Sequence, residues 1–384
     1  MSIKIYLFHK LPTPYNDHLF CALHNNDEID LQVYHLWKSR WNRPWKSELA
    51  KGYPNIFLNT KFFGIDLKFT ISAIREKESF FIIGDWAHPS SIIVLLIRIL
   101  LRYPVSIWAD TPQEQLYRPW YKKIPRKLFL SFILNNLDVI FATGKPGVNA
   151  IKKMGIRKTE VVNLPCFVQI ENLQQNQNKS FSNFLRPTSD LRILQNFDFI
   201  ILSSGMCTYK KGHDITIKAF KKLLCSTDLN PILLIAGEGP EKNGLINLTR
   251  ELNISENVKF LGWLEPDDMK EIYSISDILV HSARWDPYPL VVLEAMSFGL
   301  VVVGSDVSGS VQDRIINGKN GFSFQNENIE ELTKILNNLL NCEIRKIIGK
   351  NARKTAEEWP VERGVSIVLD TTKKIFIHHG IKYD

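Results

Sequence analysis

Short runs of β-branched and apolar residues alternate along the chain with longer stretches in which apolar residues recur at helical spacing. The runs are IKIYLF, FFIIGDW, VSIWAD, VIFATG, FIILSSG, ILLIAGEG, VKFLGW, ILVHSA and VVVGSD. This alternation predicts βαβ units and parallel sheets. Many of the runs close on Gly, Asp or Ser just before a helical pattern begins, and open α/β sheets bind ligands at such carboxyl ends.

Between Glu171 and Gln195 the pattern lapses into a stretch rich in Asn, Gln and Ser with little hydrophobic periodicity. A linker is expected there. The expected organisation is a Rossmann-like half over 1–170, the linker 171–195, and a second Rossmann-like half over 196–355. A helix over 356–384 follows, free to return to the first half. The fold class expected is α/β, two Rossmann-like domains facing each other across a cleft.

Composition narrows the picture. A chain of 384 residues with 45% hydrophobic and 23% charged residues suits two soluble globular domains. The net charge of +8 points to an anionic partner, whether nucleic acid, a phosphorylated small molecule or an anionic membrane. Nucleic acid is the weakest of these, because the cations are not interleaved with a known RNA or DNA module. Five scattered cysteines form no CxxC pair, so neither a disulfide framework nor a zinc site is indicated, and a reducing cytoplasm fits. The N-terminal apolar stretch is too short and too interrupted for a signal peptide and reads as a first strand. SIIVLLIRILLRYP carries Arg98 and Arg102 and is too short to span a bilayer. YRPWYKKIPRKLFLSFIL, from Tyr117, mixes five cations with aromatics; it suits either an anionic bilayer surface or an ordinary solvated helix.

Two segments carry candidate chemistry. In SSGMCTYKKGHDITIKAF a strand ends near Gly205, a loop holds Lys210, Lys211 and Gly212, and a helix follows. Glycine, free helix amides and a lysine suit a diphosphate, though two solvated lysines in a βα turn give the same pattern. RWDPYPLVVLEAMSFG places Asp286 and Glu294 eight positions apart. Asp286 with Pro287 reads as an N-cap and first helical position. Glu294, set among Val291, Val292, Leu293, Ala295 and Met296, needs a polar partner: a ligand ribose, a lysine or an amide.

This Asp286-to-Glu294 segment resembles the E-x7-E element of glycosyltransferase family 4, retaining enzymes of GT-B fold. GMCTYKKGHDITIKAF, IAGEGPE, VKFLGWLEPDDM, DILVHSA and VVVGSDVSGSVQDRIINGKNGFSF follow the family's order from Phe199 to Phe324. The first half is similar only loosely. The resemblance implies transfer of a sugar from a UDP- or GDP-sugar to an acceptor hydroxyl with retention, in cell-surface polysaccharide or lipopolysaccharide synthesis. It implies a ribose contact for Glu294, a diphosphate contact for Lys211 and a position beside the hexose for Asp286. Gly205, Tyr288, Leu290 and Val291 would meet the sugar or its phosphates, and Gly262 and Trp263 would border the base. On the acceptor side it implies Asp85, His88, Asp110 and Thr111, with Asp110 standing nearest the family's active-site histidine. No acidic cluster demands a metal. The expected acceptor is a saccharide or lipid-linked saccharide, and the expected location is the cytoplasm, peripheral on the inner membrane face.

The departures are specific. Met206 replaces an arginine, Asp286 is shorter than the family's glutamate, and Pro289 has no N–H to offer. A nucleotide-sugar 2-epimerase of the same fold and a non-catalytic sugar-nucleotide-binding scaffold are the rival readings.

Overall fold

A computed structural model describes residues 2–38, 51–60, 64–84, 86–110, 120–168 and 196–383; the expected linker 171–195 lies outside them. The chain divides into two compact units, Met1–Phe167 with Val361–Asp384, and Val168–Pro360.

The first unit runs β1 (Ile3–His9), α1 (Pro14–His24), β2 (Ile29–His35), β3 (Asn55–Phe57), α2 (Leu67–Arg75), β4 (Phe80–Ile83), α3 (Pro89–Leu101), β5 (Val105–Ala109), α4 (Trp120–Asn135), β6 (Val139–Ala142), α5 (Gly144–Lys153) and β7 (Glu160–Asn163). Its strands are all parallel, in the order β3-β2-β1-β4-β5-β6-β7. The central strands β4, β5 and β6 are buried at every position, which is why they read as unbroken apolar runs. Helices α2 to α5 pack one core against a face of this sheet, with Phe69, Leu95, Ile133 and Ile151 meeting Phe8, Phe81 and Ile107.

Arg98 of α3 lies at the bottom of that layer, wholly buried. Its guanidinium donates to the carbonyls of Ala73, Glu76, Ser79 and Pro104 at 2.5–3.3 Å and stacks 4.1 Å over Phe81. Burial pulls its pKa down to about 9. A planar fork can close the open carbonyl end of α2 and the turn after it from one side, which neither lysine nor water does in a dry core.

The second unit runs β8 (Phe199–Ser204), a 3-10 turn at Tyr209–Lys211, α6 (His213–Leu224), β9 (Pro231–Ala236), α7 (Lys242–Glu251), β10 (Val258–Gly262), α8 (Pro266–Ile275), β11 (Ile278–His281), α9 (Leu290–Ser297), β12 (Val301–Ser305), α10 (Gly309–Arg314), β13 (Phe322–Phe324), α11 (Ile329–Asn338) and α12 (Cys342–Glu357). Its parallel order β10-β9-β8-β11-β12-β13 again reverses beside the first strand. The last helix, α13 (Val361–His379), belongs to the first unit and packs on α1, where Gly364 leaves room for Phe167 and Leu19.

Candidate functional site

In the second unit the strand order reverses between β8 and β11, the position at which such sheets bind ligands. The loops leaving those two strands, Gly205–Gly212 and Ser282–Pro289, carry Lys211 and Asp286, 75 positions apart in sequence and joined here in an ion pair. The approach of the loops depends on Gly212. It sits at φ +67°, where a Cβ would stand 2.0 Å from the carbonyl oxygen of Ser282, while the Ser282 hydroxyl donates to the Gly212 carbonyl at 2.6 Å. Any larger residue would push the loops apart.

Arg284 locks the same junction. Its backbone N–H donates to Lys210, its guanidinium forks onto Asp214 with two 2.8 Å bonds, and it reaches the Tyr209 carbonyl and Glu327. Those bonds to Asp214 hold the arginine charged well above its ordinary range.

Asp286 is buried. Burial alone would raise its pKa, but His281 and the Lys211 charge hold it down, to about 2. His281 Nε2 lies 3.3 Å from Asp286 Oδ2, and burial keeps that imidazole neutral against the pull of the carboxylate. The expected capping role of Asp286 is not what the structure has: α9 starts at Leu290 with Pro289 at its N-cap. The backbone of Asp286 instead bridges Ser308, and its carbonyl accepts from the Gly309 N–H at 3.0 Å. Pro287 lies three residues before the helix start, inside the loop, and the aspartate pairs with Lys211 instead of capping a helix end.

Gly205, Gly237 and Gly262 close three adjacent strands. The N–H of Gly205 donates to Ala236 at 2.9 Å and that of Gly237 to Gly262 at 2.7 Å. A Cβ on Gly237 would stand 1.9 Å from the Gly205 carbonyl, so the IAGEGPE turn is glycine-rich because two strand ends touch there. The stem of Lys211 lies over Gly205, at 3.3 Å from where a Cβ would be. Met206 and Trp263 are exposed beside these turns.

Glu294 is half-buried on α9, and its partner is Tyr273 of α8, whose hydroxyl donates to Oε2 at 2.7 Å. Burial raises the Glu294 pKa and the tyrosine partly offsets that rise. Leu290 and Val291 are half-buried at the start of α9, and Tyr288 is fixed by bonds to Asp313 and Arg314 at 2.8 and 3.0 Å. Beneath Lys211, buried His213 bonds Ser203 and the Gly205 carbonyl at 2.9 and 3.1 Å, and burial lowers its pKa to about 4.

Lys211, Asp286 and Gly205 are therefore brought together, and Glu294 and Tyr288 are each anchored nearby in sequence on α9 and its entry loop. In the first unit Asp110 is exposed and accepts from Thr143 at 3.1 Å, and His88 stands at the N-cap of α3. Asp85 and Thr111 lie outside the described residues. Sequence reasoning missed Arg284, His281, His213 and Tyr273. Arg284 heads the very segment that drew attention to Asp286, and a cation there was the available signal; the other three read only as core positions.

Comparison with known proteins gives this site its context. Residues 193–355 match the family described as glycosyl transferases group 1. An uncharacterized glycosyltransferase of Haemophilus influenzae is 33% identical over 183 residues, 47% of this chain and 50% of that protein. The N-acetyl-alpha-D-glucosaminyl L-malate synthase of Bacillus anthracis is 23% identical over 252 residues, 59% of this chain and 62% of that one. The chain thus spans about half the length of the curated relatives it matches. Anabaena Alr3699/HepE, solved in complex with UDP, superposes with a TM-score of 0.77 over 97% of this chain and 100% of that one, at 16% identity. The fold is GT-B, and residues 193–355 of the second unit match the glycosyl transferases group 1 family.

Proposed function

We propose that this protein transfers a sugar from a nucleotide diphosphate sugar to an acceptor hydroxyl, with retention at the anomeric carbon, as in glycosyltransferase family 4. The observation that carries the reading is the joining of Lys211 to Asp286 at the switch point of a unit that matches glycosyl transferases group 1. UDP in the structure of HepE favours a uridine donor, with GDP-sugars the other candidates.

The chemistry asks for a cation where charge develops. As the glycosidic bond breaks, negative charge gathers on the leaving diphosphate, and a preorganised Lys211 with the first amides of α9 stabilises it better than reorganising water can. In this reading no metal is used, because lysine and amides take that charge. Asp286 has two tasks: it holds the Lys211 ammonium over Gly205, and its carboxylate, charged at any ordinary pH, meets a hydroxyl of the sugar. Glu294 takes the ribose through Oε1, its Oε2 being occupied by Tyr273. Asp110 of the first unit is the residue that the family resemblance assigns to the acceptor. The acceptor is a saccharide or lipid-linked saccharide of cell-surface polysaccharide assembly, met at the inner face of the membrane.

The test is a thermal-shift screen of nucleotide sugars followed by calorimetry on Glu294→Ala. The expected result is stabilisation by one base series and at least tenfold weaker binding in the variant, about 1.4 kcal/mol or more. Unchanged affinity would remove the ribose assignment.

A further inference from the structure

Three neighbouring helices of the first unit have outer faces that a solvated helix layer does not need. α2 packs on α3 and α3 on α4, and their inner residues fill the core described above. On the outside of α2, Leu67, Ile71 and Ile74 follow one another at helical spacing and are 44–62% exposed. Leu100 and Leu101 stand open at the end of α3. On α4, Leu128, Phe129 and Phe132 point away from the buried Leu130, Ile133 and Leu134. Eight of the sixteen large apolar side chains found exposed among the described residues thus lie on these three helices.

The charges there are of one sign. The sequences LKFTISAIR, PSSIIVLLIRILL and WYKKIPRKLFLSFILN contain seven Lys or Arg and not one Asp or Glu. Arg98 is consumed inside the core, whereas Lys68, Arg75 and Lys127 are exposed, with Arg102 just past α3. Helices of the other unit carry both signs, as in PDDMKEIYSI and CEIRKIIGKNARKTAE. No described helix is long and apolar enough to cross a membrane. An apolar face whose three helices carry cations and no carboxylate, with Glu76 held by Lys4 and Glu78 following α2, complements a surface that is anionic outside and hydrocarbon within.

We propose that the outer face of α2, α3 and α4 docks on an anionic lipid bilayer, inserting the leucine, isoleucine and phenylalanine side chains among the acyl chains while the lysines and arginines meet lipid phosphates. The surface is wider than the basic aromatic segment alone, since α2 contributes a stripe of its own. This inference does not depend on the transferase reading, because it uses no residue of the second unit.

Co-sedimentation of the full chain with vesicles tests it. Vesicles of equal parts phosphatidylcholine and phosphatidylglycerol should bind the protein, and pure phosphatidylcholine should not. Ile71→Glu with Phe132→Glu should weaken that binding at least about tenfold, since two side chains that would insert among the acyl chains are lost. Lys68→Glu with Lys127→Glu, at solvated positions where folding is not at stake, should weaken it about tenfold and remove most of its salt dependence. Circular dichroism melts check that each variant is folded. No binding to the anionic vesicles, equal binding to neutral ones, or folded variants that bind as the parent does would each overturn the proposal. So would a concentration-dependent dimer in sedimentation velocity that the same variants abolish while lipid binding is absent. Nucleotide binding by the second unit is read separately, so loss of either result leaves the other standing.

Discussion

The two units share a plan and differ at its mouth. Each is a parallel sheet whose order reverses beside its first strand, with β1 between β2 and β4 in one and β8 between β9 and β11 in the other. In the second unit the loops at the reversal are joined by charge: Lys211 to Asp286 and Arg284 to Asp214. In the first, β1 ends on His9, whose ring bonds Asn16 at 2.8 Å and packs so closely on Gly84 that a Cβ there would meet it at 2.9 Å. Behind it buried His35 bonds the Tyr53 hydroxyl at 3.2 Å, which donates to Asp17 at 2.6 Å. A sheet topology offers a place for a ligand, and the loop residues decide what kind. Lysine over glycine suits an anion, whereas imidazole and amide offer a polar floor.

The sharpest way to break that contrast is to remove the cation. Lys211→Ala should lower turnover by about a hundredfold or more, because the charge on the leaving diphosphate develops where the ammonium was preorganised. Ground-state affinity should fall much less. Steady-state kinetics with saturating donor checks it, and an undiminished kcat would mean that the diphosphate is stabilised elsewhere.

Arg98 tests whether the first unit has its own structural reliance on a cation. Arg98→Met keeps the stem and deletes the fork, leaving the carbonyls of Ala73 and Ser79 without that donor, while those of Glu76 and Pro104 keep the Ser79 hydroxyl and the Phe81 N–H. The cost should be about 3 kcal/mol or more in chemical denaturation. Nucleotide affinity of the second unit, measured below the melt, should stay as it was.

Acidification should tell the units apart more gently. Burial lowers the pKa of His35 to about 3 and of His213 to about 4, and lowers that of His281 as well. Each is neutral in the fold and takes a proton when unfolded, at the ordinary histidine value of about 6.5. Between those values the unfolded chain holds more protons, so stability is fully present above pH about 6.5 and falls with pH until the folded value is passed. Each group steepens the loss by about 1.4 kcal/mol per pH unit. His35→Asn should flatten the slope for the first unit alone, and denaturation midpoints at pH about 7 and about 5 would show it. A slope unaltered in the variant would mean that the imidazole is solvated.

Much of this arrangement was legible in the residues, and the remainder was hidden for definable reasons. Strands buried on both faces, such as FFII and PILLIA, announce themselves as apolar runs. β3, β7 and β13, all edge strands, are half exposed, and β2 alternates Ile, Asp, Leu and Gln; none stands out as a run. Lys211, Asp286 and Glu294 were legible because charge beside glycine or inside an apolar helix needs a reason. Their partners were not, since contacts such as Arg284 to Asp214 span 70 residues and arise only when two loops meet. The helix start was misread for a local cause: Asp-Pro is a good cap in isolation, and a stronger ion pair elsewhere took the aspartate.

Tyr273 gives the smallest and most specific test. Its hydroxyl donates to Glu294 Oε2, and its ring stacks on Phe298 at 5.4 Å between centroids, so the bond is held in place by packing. Burial raises the Glu294 pKa and the tyrosine lowers it, so Tyr273→Phe removes only the restoring effect and the carboxyl should take a proton at higher pH than in the parent. A protonated Glu294 loses half its capacity to accept from the two ribose hydroxyls. Nucleotide affinity in the variant should therefore fall by about 1 kcal/mol near neutrality and by progressively more on acidification, the gap closing again at alkaline pH. A purely structural role for the tyrosine would weaken binding by the same factor at every pH. Calorimetric titrations across pH separate the two, and parallel profiles for parent and variant would assign Tyr273 to packing alone.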